Sequence, residues 1–193
     1  FKQKTAYEIM PSLVGSEMCI RDRSIAAPFI STGLMFHQIY IFGQKGWSLE
    51  MLGNGYILFG FFSILGLLIG GPIIDKFNTK KTAITVLVPL LLSVIILLLF
   101  DNIFFLMTYM CLYGLNMGIS APFIGSLWAE IYGVKSLGTV KALLHAGSVF
   151  ASAFGPLVFG YLIDWGFGIT TIATISITLI VVSTLVPIYK KLP

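Results

Sequence analysis

From Ser24 onward the chain alternates between unbroken apolar runs and short polar breaks, and nearly every charged side chain falls in a break. The runs lie at about 24–42, 52–74, 82–100, 103–128, 138–163 and 167–189. The breaks hold Gln44 to Glu50, Asp75 to Lys81, Asp101 with Asn102, Ala129 to Leu137, and Asp164 to Gly166. A helix rises about 1.5 Å per residue and needs about 20 residues to cross a ~30 Å hydrocarbon layer, so each run predicts one spanning helix. Barrel strands would instead alternate apolar and polar positions over ~10 residues. Links this short make neighbouring helices antiparallel. The expected fold is an all-α membrane protein of six transmembrane helices.

Composition agrees: of 193 residues, 57% are hydrophobic and 10% charged, against about 45–50% and about 25% in soluble domains. A mean hydropathy of +0.95 is more than an interior can hide, so lipid is the solvent for much of the surface. The net charge of +4 is too small and dispersed for a nucleic-acid footprint, and no nucleic-acid partner is expected. Its placement carries more information. The second and fourth links and the C-terminus hold Lys76, Lys80, Lys81, Lys135, Lys141, Lys190 and Lys191, whereas the other links hold only Lys45. This asymmetry predicts that both ends of the six-helix unit are cytoplasmic, in a plasma or inner membrane. Cys19 and Cys111 indicate no disulfide framework, and Lys2 and Lys4 are not followed by the apolar region of a secretory signal.

Leu13 to Asp22 resembles the translation of one reading frame of a transposase-based sequencing adapter. Two regions are therefore expected: a non-native or chimeric segment at 1–23, and a six-helix bundle at 24–193.

An internal repeat runs through the bundle. A shift of 89 residues carries Gly66, Gly71 and Asp75 onto Gly155, Gly160 and Asp164. Three crossings reverse the chain's direction, so such a duplication gives two inverted three-helix repeats, an arrangement of many secondary transporters. The second link reads Gly71-Pro72-Ile73-Ile74-Asp75-Lys76-Phe77-Asn78-Thr79-Lys80-Lys81. It resembles the signature of the major facilitator superfamily, with Asn78 where that signature has glycine. Glu130-Ile131-Tyr132-Gly133, Leu137-Gly138-Thr139, Gly155-Pro156 and Gly160-x-x-x-Asp164 extend the resemblance over Ser24 to Pro193. The resemblance implies the C-terminal six-helix half of a twelve-helix carrier, with a missing N-terminal half as partner.

The motif has its own chemistry. Asp75 at a helix C-terminus opposes the macrodipole and calls for a cation such as Lys76 or Lys80 or a neighbouring helix N-terminus. Gly71 would admit a neighbouring backbone, and Lys80 with Lys81 would anchor the interface. Together Gly71, Asp75, Lys76, Lys80 and Lys81 make a candidate conformational latch, the alternative being an ordinary basic loop.

Polar residues within the runs suggest a substrate cavity. Tyr109, Tyr113, Asn116 and Ser120 recur at helical spacing within an arc of roughly 60°, and Gly114, Gly118, Ala121 and Gly125 lie opposite. Lys141, His145, Ser148 and Ser152 repeat the pattern in the fifth run. Polar stripes are costly in lipid and should face protein or water. The adjacent His37 and Gln38 point about 100° apart, Gln38 sharing a face with Ser31 and His37 with Gly33. The candidate cavity residues are His37, Gln38, Tyr113, Asn116, Lys141 and His145, facing a small-molecule substrate. Two other classes compete: a membrane-embedded serine hydrolase using Ser126 and His145, and a non-transporting membrane scaffold. The reading is of a carrier and not an enzyme, with no cofactor and no metal cluster expected.

Overall fold

The computed structural model describes the backbone of residues 16–77 and 86–189, and side chains within 25–76, 86–127, 138 and 141–185. The described backbone is helical, with no strand. In chain order the helices are α1 (Ser16–Phe36), α2 (Gln38–Gln44), α3 (Leu49–Phe77), α4 (Val88–Leu99), α5 (Ile103–Asp164) and α6 (Ile169–Tyr189). Leu49–Lys76, Ile103–Leu127 and Lys141–Asp164 are each long and apolar enough to cross a bilayer, with α1 and α2 a fourth span if the bent pair is one. The shorter Val88–Leu99 and Ile169–Leu185 are also apolar.

Two features depart from the predicted runs. The first run is broken at His37, where α1 and α2 meet at 63°. There His37 Nδ1 donates to Gly33 O at 2.9 Å, the carbonyl that a continuous helix offers to the backbone N–H of residue 37. A side chain entering the i to i−4 ladder in this way is a recognised cause of a kink. The expected break at 129–137 is instead helical throughout, within the 62 residues of α5. Proline is absent from this stretch, and Gly133 weakens a helix by about 1 kcal/mol without ending it.

Yet α5 cannot be straight. The adjacent Ser31 and Thr32 reach Tyr113 and Ser152, at 2.6 Å and 2.9 Å, positions that a straight helix would hold about 58 Å apart. The stretch therefore doubles back into two arms, Ile103–Leu127 and Lys141–Asp164. Ser31 of α1 meets Tyr113 and Gln38 at the start of α2 meets Tyr109, so the first arm runs antiparallel to this bent pair. Phe29 meets Gly155 and Gly33 meets Phe159, so the second arm runs parallel to α1. On α3, positions 55, 59 and 70 lie against Met110, Gly114 and Pro122, so α3 and the first arm run together. These directions match alternating crossings.

Glycines let the helices close up where they cross. A Cβ on Gly118 would strike Ser63 O, and one on Gly66 would stand 2.6 Å from Leu115 O and 3.2 Å from the Gly118 Cα. In the other crossing, a Cβ on Gly155 would strike Phe29 O. The 89-residue shift carries Gly66 to Gly155 and Phe29 to Gly118, so one crossing corresponds to the other with the helices exchanged. The links are equally compact. Gly46 and Gly166 take φ of 70° and 83°, left-handed conformations that close the turns after α2 and the second arm. At the start of α5, Asn102 Oδ1 accepts from Phe104 N at 3.0 Å.

Candidate functional site

The polar face of the first arm of α5 turns toward α1. Tyr109 and Tyr113 are fully buried and stack in parallel, ring centroids 5.8 Å apart. The Tyr113 hydroxyl donates to Ser31 O at 2.6 Å, and Gln38 Nε2 approaches the Tyr109 hydroxyl at 3.4 Å. Gln38 is 2% exposed, and its Oε1 has no hydrogen-bond partner. One turn beyond Tyr113, Asn116 is also 2% exposed and donates from Nδ2 to Val86 O at 2.7 Å, joining the arm to the residues just before α4. The stripe is thus paired on one side with α1, while Gly114 and Gly118 of the same arm take up α3.

Below this cluster a cavity of about 260 Å³ separates α1 from the first arm. Asn116 and Ser120 line it from the arm, Ser31 and Thr32 from α1, and the remaining wall is formed by Ala27, Pro28, Val86, Leu87, Met117, Ala121, Phe123, Ile124 and Leu127. Thr32 was not among the expected cavity residues. Its hydroxyl bonds Pro28 O in its own helix and also Ser152 O across the crossing. Nothing in its local sequence separates it from a hydroxyl that bonds only its own helix; the crossing at Gly155 is what brings it to Ser152.

Of the six expected cavity residues, Asn116 lines this space. Tyr113 and Gln38 stand in the buried cluster above it, and His37 sits half-buried at the helix break. Lys141 and His145 are exposed on the second arm. The parallel register that sets Phe29 against Gly155 brings position 141 level with the first residues of α1, whose side chains are outside those described. Ser148 and Ser152 donate to Leu144 O and Val149 O of their own helix.

At the latch, Asp75 and Lys76 are exposed at the end of α3, and Lys80 and Lys81 lie outside the described residues. Gly71 does not provide the expected close approach: a Cβ there would meet nothing within 4 Å among the described residues. Gly66 and Gly70 provide it instead, a Cβ on Gly70 standing 2.9 Å from Pro122 Cγ, because they face the first arm and Gly71 is turned 100° away. Ser126 donates to Pro122 O and Phe123 O, both at 3.1 Å, and has no hydrogen bond to His145. Among the described residues no three His, Cys, Asp or Glu side chains converge as a metal site.

A family model, Major Facilitator Superfamily, matches residues 22–193. No curated protein matches the chain.

Proposed function

The chain belongs to the major facilitator superfamily, a family of membrane transport proteins, and we propose from that premise that it is the C-terminal half of a secondary carrier moving a small organic solute by alternating access. The observation that carries the reading is the polar face of the first arm against α1, buried beside a cavity into which Asn116 and Ser120 project. A buried polar stripe in a membrane helix has to be satisfied by protein or by a solute, and here it meets both a protein partner and a space. On this reading Asn116 lines the solute site, Tyr113 and Gln38 brace its wall from the buried cluster above, and His37 stands at the hinge of a broken helix, a common element of carrier sites. His145 and Lys141 belong to the surface turned toward the other half.

The integral, multi-pass character follows from the family and the apolar helices. Both ends of the six-helix unit are proposed to be cytoplasmic, with Gly71, Asp75, Lys76, Lys80 and Lys81 as a latch on that side of an inner or plasma membrane. The corresponding crossings Gly66–Gly118 and Gly155–Phe29 support two inverted three-helix repeats. Residues 1–23 are proposed to be foreign to the gene; the matched family residues begin at 22. The encoding DNA should reproduce the adapter codon by codon across Leu13 to Asp22, and synonymous codons there would dismiss the idea.

Transport by the complete gene product in proteoliposomes tests the function. Saturable solute flux is expected, with Asn116→Ala raising the half-saturation concentration while membrane insertion is unchanged. Flux that never saturates for any solute would favour the scaffold reading.

A further inference from the structure

Resting on the placement of the solute site between α1 and the first arm of α5, we propose that this site takes an uncharged, largely apolar small organic molecule bearing one or two hydrogen-bonding groups, and that it rejects organic anions. The inference comes from counting protons on the cavity wall. Each hydroxyl has one proton to give. Ser31 Oγ gives its proton to Ala27 O at 2.7 Å, Ser120 Oγ to Asn116 O at 2.7 Å, and Thr32 Oγ1 has Pro28 O and Ser152 O as its acceptors. All three hydroxyls therefore offer the cavity only lone pairs. Asn116 spends one amide N–H on Val86 O and keeps the other, together with its Oδ1. Among the described residues the polar complement facing a ligand is four acceptor oxygens and a single N–H.

Among the described residues no Lys, Arg, His, Asp or Glu lines the cavity, and Lys141 and His145 are exposed on the other arm. A carboxylate entering it would give up its hydration and find one donor in return, and an unpaired ion in such a site is strongly disfavoured. An O–H or N–H of a neutral molecule finds several acceptors. The rest of the wall is aliphatic or aromatic, which suits an apolar body. At about 260 Å³ the space exceeds the ~150 Å³ known to hold benzene, leaving room for one ring and a substituent.

Three single-ring probes separate the possibilities: benzyl alcohol, toluene and benzoate. The chain carries Met117→Cys on the cavity wall, with Cys19→Ser and Cys111→Ala, in lipid nanodiscs, and labelling by N-ethylmaleimide is timed with each probe. Benzyl alcohol is expected to slow labelling about fivefold relative to toluene at equal concentration, the yield of one ordinary hydrogen bond, and benzoate is expected to give no protection. The melting temperature of the unaltered chain should rise with benzyl alcohol, unmoved by benzoate, and lose that rise in Ala121→Trp, which fills the cavity. Benzoate protecting as well as benzyl alcohol overturns the substrate class while leaving the site in place. Toluene protecting as well as the alcohol overturns the hydrogen-bonding part. No protection and no melting shift from any probe overturns the site itself.

Discussion

Gln38 has the least favourable surroundings of the buried polar side chains. Its Oε1 is enclosed without a partner and its amide nitrogen reaches the Tyr109 hydroxyl only at 3.4 Å. An unsatisfied buried acceptor costs about 1–3 kcal/mol, so a bundle selected for stability alone would gain by an apolar residue here. Gln38→Leu combined with Tyr109→Phe, which removes both partners of this contact, should hold the melting temperature or raise stability by about 1 kcal/mol, while lowering uptake by the complete carrier; thermal denaturation and flux measured on the same preparation check both arms. Thr174→Ala should leave both unchanged, because Thr174 Oγ1 bonds Thr170 O on the exposed face of α6. The stripe from Tyr109 to Ser120 was legible in the sequence, since its period is helical and its residues are large or polar. The α1 side of the cavity was not. Ser31 and Thr32 bond their own backbone, as isolated hydroxyls in helices commonly do, and only the crossing at Gly155 shows that Thr32 also reaches Ser152.

Helix existence was readable from the apolar runs, whereas helix continuity was decided by interactions that a run does not display. No proline or glycine occupies position 37, and the bend coincides with an imidazole that bonds back to Gly33 O. Residues 129–137 look like a link because charged side chains interrupt the apolar run, yet they hold no proline to end a helix, and the reversal occurs within helical backbone. Glycine positions show the same division. Recurrence at 114 and 118 announced a close-packing face, but the sequence did not separate these from Gly71 and Gly125, where a Cβ meets nothing within 4 Å among the described residues. The difference predicts opposite signs. Gly118→Ala forces its Cβ against Ser63 O and should cost about 1–3 kcal/mol. Gly125→Ala adds helix propensity into open space and should gain up to about 1 kcal/mol. Equal melting shifts for the two variants would place the α3 crossing elsewhere.

Across the whole molecule, the Lys count that predicts an orientation for the bundle has one exception, Lys45, and the structure gives it a local use. Lys45, its side chain 7% exposed, donates to Asp101 Oδ1 and to Phe100 O, while Trp47 Nε1 donates to Asp101 O at 2.7 Å. The first and third links are thereby tied, and the one Lys of the first, third and fifth links is neutralised by its partner. Single cysteines at Asn102 and Asn78 should therefore label from opposite faces of intact cells, with Asn102 outside; labelling from one face would overturn the orientation. Large apolar side chains remain exposed along α3, among them Ile57, Phe61, Ile64 and Leu68, and along the second arm, among them Phe150, Phe154, Leu157 and Tyr161. Lipid or a second bundle has to cover them. Alternating access needs two bundles rocking about a site between them, and the cavity here has walls from one bundle only. The 193-residue chain reconstituted alone is accordingly expected to show no saturable solute flux. Flux should return when a matching N-terminal six-helix half is supplied as a separate polypeptide. Robust transport by the chain alone, as a homodimer, would contradict the half-carrier reading and make the exposed faces of α3 and the second arm a self-association surface.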